Sequence, residues 1–164
     1  MPAQQLVFAL VTFLHDLFTA VWIGGLITLG VTVLPSARKV LGMGPQTKKL
    51  MDTIQRRLSV LVYVSIVGLV LTGLLLSNRP PAFQGLFRFS NAYSTVLSLK
   101  HVLVLAMIAV TLIRSLALGR RRGPSTPSQE KLSAGLLFLN IALGVVVLLL
   151  SGFSAALSAG PPPA

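Results

Sequence analysis

Residues 58–77, "LSVLVYVSIVGLVLTGLLLS", contain no Lys, Arg, His, Asp or Glu. Twenty such residues at ~1.5 Å each match the ~30 Å hydrocarbon core of a bilayer, so the stretch predicts a membrane-spanning helix. Three more apolar runs of sufficient length lie near residues 5–34, 93–118 and 132–158. The composition agrees: 54% of the 164 residues are hydrophobic, 10% are charged and the mean hydropathy is +0.84. A water-soluble domain needs more polar surface than that. The expected architecture is all-α, an integral membrane four-helix bundle forming a single domain over 1–160, with residues 161–164 as a disordered, Pro-rich tail. The chain is therefore expected to be a multi-pass protein of a cell membrane, such as a bacterial inner membrane, with the lipid bilayer as its first partner. The opening "MPAQQLVFAL" has no positive charge, and its apolar run is longer than a secretory signal's, so it is expected to stay in the mature protein.

The net charge of +11 invites a nucleic-acid reading, which requires basic residues on one exposed face interleaved with aromatics. Here the cations sit in short segments between apolar runs, and no nucleic-acid role is expected. Arg38, Lys39, Lys48, Lys49, Arg56 and Arg57 fall between the first and second spans. Arg120, Arg121, Arg122 and Lys131 fall between the third and fourth, with Arg114 close by, and only Arg79 and Arg88 between the second and third. Positively charged short loops are held on the cytoplasmic side, which puts both chain ends outside, on the periplasmic or extracellular face. The chain has no cysteine, so single cysteines test this cleanly. Cysteines placed in 38–57 or 120–131 should be shielded from an impermeant thiol reagent in intact cells, and one near Arg79 should react. The reverse labelling would invert every helix direction.

Inside this apolar chain, "FLHDLFTAVWIGG" (13–25) holds His15 and Asp16, and "SLKHVLVLAM" (98–107) holds Lys100 and His101. These are the only two histidines. His15 lies about nine residues below the outer end of its span and His101 about eight below its own, so both sit roughly 12–14 Å beneath the outer surface. Two neutral imidazoles on parallel helices at one depth suit a metal ion or the iron of haem b, and intramembrane ionisable residues are functional by default. The plainer role is hydrogen bonding between helices. Thr12, Thr19 and Trp22 share the face of His15, a stripe expected to point into the bundle. A threonine hydroxyl there would orient the second ring nitrogen, and Trp22 would pack on a flat macrocycle. Gly24 and Gly25 would admit a helix or a cofactor at close range. Asp16 and Lys100 are expected to pair, each being costly alone in lipid; the rival role for Lys100 is to meet haem propionates. Arg114 is expected to snorkel to the inner surface. Asn140, Ser151 and Ser154 in the fourth span, with Ser65, Gly68, Thr72 and Gly73 in the second, read as interhelical bonding and packing residues.

His15 followed by "WIGG" (22–25), together with "YSTVLSLKHVLVLAMIAVTLIRSLAL" (93–118), resembles the copper resistance D-like (CopD-like) membrane family. That family is grouped with b-type membrane cytochromes and is similar to the HemJ-like haem-dependent protoporphyrinogen oxidases. The resemblance singles out His15, Trp22, Gly24, Gly25 and Lys100, whereas His101 rests on depth. It implies copper handling. Copper(I) favours sulfur ligands, yet only Met107 of the four methionines lies within a span, although two histidines suffice for a near-linear copper(I) site. The donor set alone favours haem b over copper. His15 and His101 are thus the candidate metal ligands, with Trp22 and Lys100 beside a cofactor that is haem b or copper. Three functions follow: a redox or copper-handling membrane protein acting with a membrane redox partner, a HemJ-like enzyme, or a cofactor-free accessory subunit of a larger membrane complex.

Overall fold

The computed structural model describes residues 2–77, 89, 91–115 and 126–159. Arg79, Arg88, Arg120, Arg121, Arg122 and the 161–164 tail lie outside them. The described residues contain helices and no strand: α1 (Ala3–Ile27), a π-helical segment (Thr28–Val33), α2 (Leu34–Leu41), α3 (Pro45–Ser77), α4 (Ala92–Ile113) and α5 (Pro127–Ala159). Four stretches are long and apolar enough to cross a membrane: Ala3–Leu41, Pro45–Leu76, Ala92–Ile113 and Ser128–Leu157. Large apolar side chains cover the outside of these helices, including Phe13, Val64, Leu105 and Leu149, as a lipid-facing surface requires.

The first span runs through Pro35 instead of ending before it. Proline has no N–H to donate and its ring collides with the carbonyl four residues back, which ordinarily breaks a helix. Here the preceding turn widens, with the Leu34 N–H bonding to Leu29 O in the i→i−5 pattern, and α2 starts with proline in its first turn. Gly42, at φ +70°, closes the turn into α3, its N–H donating to Arg38 O at 3.0 Å. Only glycine adopts that conformation without strain. The helix of α3 begins well before its apolar part, because Arg56 and Arg57 end hydropathy and not helicity.

Glycines set the register. A Cβ on Gly25 would lie 2.8 Å from Leu58, and one on Gly68 would fall inside the Phe18 ring, so α1 and α3 are antiparallel and in near-backbone contact. Gly30 meets Ile141 and Leu137, while Gly144 meets both Ile23 and Met107. α5 is thus antiparallel to α1 and to α4, and α1 and α4 run parallel. The close packings are α3 on α1, α1 on α5 and α5 on α4. The core at these junctions holds Trp22, Ile23, Leu26, Leu29, Val62, Met107, Leu137 and Val147.

Candidate functional site

Ile23 of α1 and Met107 of α4 both reach Gly144, which fixes a common level in the bundle. From it His15 lies eight residues and His101 six residues toward the same end of the molecule. The two rings therefore stand about 12 and about 9 Å above that level, within ~3 Å of each other in depth. Asp16 beside His15 on α1 and Lys100 beside His101 on α4 stand at this same depth. α1 and α4 are not among the closely packed helix pairs; both pack against α5.

Both rings are oriented by the protein. His15 Nδ1 lies 2.9 Å from Thr72 Oγ1 across the α1–α3 junction. The single Thr72 hydroxyl hydrogen is donated to Gly68 O at 2.7 Å, so toward His15 this oxygen accepts and Nδ1 carries the hydrogen. His101 Nδ1 lies 2.7 Å from Leu97 O, which can only accept, and the same tautomer follows. In the neutral rings both Nε2 atoms then hold the free lone pair, the state in which imidazole binds a metal.

The orienting hydroxyl differs from the one expected. Thr19 Oγ1 donates to His15 O at 2.9 Å and Thr12 Oγ1 to Phe8 O at 2.9 Å, so each threonine on the histidine's own face is spent on its own helix. Thr72 on the neighbouring helix does the work instead. Thr12 is also exposed, so the stripe turns inward only from His15 downward. Gly73 leaves room for the ring, a Cβ there lying 3.6 Å from His15 Cε1, whereas one on Gly24 would meet nothing.

Trp22 is 1% exposed and packed into the core, and its Nε1 has no acceptor among the described residues. Lys100 is half-buried and Asp16 is exposed on α1; the two make no direct ion pair among the described residues. Arg114 is held rather than free to snorkel. Its Nε donates to Ser133 Oγ at 3.3 Å, and its Nη2 is buried without a partner among the described residues. One turn above, Asn140 Nδ2 donates to Thr111 Oγ1 at 2.9 Å, joining α5 to α4. Asn140 is thus an interhelical hydrogen-bonding residue, as its place in an apolar span predicts, while its partner Thr111 and the Arg114–Ser133 bond could not be read from the sequence. Among the described residues no group of three or more His, Cys, Asp or Glu forms, so a metal here would rest on the two histidines and any ligand it brings.

The family described as copper resistance protein D matches residues 52–154, more than half of the chain. The match includes Thr72, Lys100 and His101 and begins beyond His15 and Trp22. No curated protein and no solved structure matches the chain.

Proposed function

Given that the chain belongs to the copper resistance protein D family, we propose that it is a copper-handling integral membrane protein whose His15 and His101 bind one copper(I) ion through their Nε2 atoms. The observation that carries the reading is that both Nδ1 atoms sit within hydrogen-bond distance of a protein oxygen, Thr72 Oγ1 at 2.9 Å and Leu97 O at 2.7 Å, which leaves both Nε2 atoms for a ligand. Copper(I) accepts two nitrogen donors in a near-linear arrangement, and the apolar helices around the pair exclude competing water. Asp16 supplies one negative charge against the two positive charges of the ion and Lys100. The second reading is haem b held by the same two nitrogens. Lys100 favours it, as a cation beside the histidines without a direct ion pair, because haem propionates would give it partners.

Copper(I) titration against a chromophoric chelator, with metal analysis and a visible spectrum of the purified protein, separates the two. Copper handling predicts one copper per chain and no Soret band; a low-spin Soret band with bound iron establishes haem, and neither signal removes both readings. Thr72→Val tests the tautomer. The ring then loses its Nδ1 acceptor, and metal affinity should fall by roughly 10–100-fold while the helices stay folded. Unchanged affinity would mean that Thr72 only bridges two helices.

A further inference from the structure

α2 and the first turns of α3 form a packed helical hairpin beyond the membrane. Ala37, Thr47 and Met51 are buried at its seam, Thr47 Oγ1 donates to Gly42 O at 2.7 Å, and the Gly42 turn closes it. Leu58 begins the apolar part of α3, and Pro45 lies thirteen residues before it, so the hairpin reaches about 20 Å past the hydrocarbon. The headgroup layer on one side is only ~5–8 Å deep. Arg56 and Arg57 sit at headgroup level, whereas Lys48 and Lys49 stand ~13–15 Å out, in water.

Two features of the hairpin go beyond what membrane orientation requires. Its tip exposes large apolar side chains, Val40 at 81% and Met43 at 86%. Along α3 runs an open groove of about 640 Å³, lined by Lys48, Lys49, Asp52, Thr53, Arg56 and Arg57. These recur three and four residues apart, so one helix face carries a cationic stripe ending near an apolar tip. Loop charge alone suffices to orient a membrane protein; it needs neither a rigid scaffold nor an apolar end.

We propose that this hairpin docks an acidic protein segment, its carboxylates along the groove from Arg56 to Lys48 and an apolar side chain of its own against Val40 and Met43. The height of the tip places it beyond lipid headgroups. A second copy of the chain lacks the complementary charge, since the whole sequence has three acidic residues, of which Asp52 lies in the groove and Asp16 in a membrane span. Nucleic acid would match the cations and leave the apolar tip uncovered. The inference is independent of the histidine site, because groove and histidines lie at opposite ends of α3 and α1.

The test places a photo-activated benzophenone amino acid at Met43 in the full-length chain, in the cells it comes from, and sequences the cross-linked product. The expected product is a protein segment rich in Asp and Glu around an apolar residue, and Lys48→Glu with Lys49→Glu should reduce its yield at least about tenfold. Lys131→Glu, a charge reversal away from the groove, should leave the yield unchanged and controls for folding and insertion. A lipid adduct, a cross-linked dimer of this chain, an RNA adduct, no adduct, or a protein adduct indifferent to the Lys48 and Lys49 reversal would each overturn the proposal.

Discussion

His15→Ala and His101→Ala should each abolish stoichiometric copper binding, with an affinity loss larger than the roughly 10–100-fold that removing the partner of a metal ligand brings. A two-coordinate ion that loses one of its two nitrogens keeps half its ligand set, and no cysteine or third histidine is present to replace it. The double variant should be no worse than either single one, because the two residues act as one unit. If the occupant is haem, the same changes should convert a six-coordinate low-spin spectrum to a five-coordinate one and then to none. Loss of the ligand with His15→Ala but not with His101→Ala would refute the pairing and leave a site on α1 alone. Retention in both would make His15 an interhelical hydrogen-bonder to Thr72 and His101 a residue satisfied by Leu97 O on its own helix.

Gly68→Ala should be among the most damaging small substitutions in the chain, with Gly24→Ala as its neutral counterpart. The new methyl group on α3 would enter the Phe18 ring, which is a rigid plate rather than a flexible chain end, so α1 and α3 must separate. Overpacking of this kind costs about 1–3 kcal/mol, and the same separation would draw Thr72 away from His15. At Gly24 a Cβ meets nothing within 4 Å. Thermal unfolding in detergent measures the contrast, and Phe18→Leu in the Gly68→Ala background should recover part of the loss. Equal stability of the Gly68→Ala and Gly24→Ala proteins would show that α1 and α3 approach less tightly than described.

The spans were legible because hydropathy reports the solvent a helix sits in, and 58–77 needs no tertiary information to be read. Helix ends were less so. Hydropathy stops at Leu34 and starts again at Leu58, while the helices run on to Leu41 and begin at Pro45, since a helix outside the membrane leaves no apolar signature. The site was half legible. Depth along a helix is a matter of counting, and His15 and His101 do share a level. Register between helices is not encoded in any single span: Thr72 was visible as a polar residue in an apolar run, but its assignment to His15 depends on Gly68 and Gly25 letting α3 slide against α1 at one height. Trp22, read as a platform for a cofactor, is enclosed by core side chains, a degree of burial that helical position alone does not specify.

The packing order, α3 on α1, then α1 on α5, then α5 on α4, bears on how the protein is made. Each sequential pair of spans is an antiparallel couple that can zip together as soon as its second member leaves the insertion machinery. α1 and α3 form the first couple, locked by Gly68 and the Gly42 turn, and α4 and α5 the second, locked by Asn140 and Gly144. If the couples form in that order, one docking event remains, in which Ile23 and Gly30 of the first couple meet Gly144, Leu137 and Ile141 of the second. The two histidines belong to different couples. If the two histidines hold one ligand as proposed, the pair is completed only when the couples dock, so an unfinished chain in the membrane would carry neither the ligand pair nor the reactivity that would come with one.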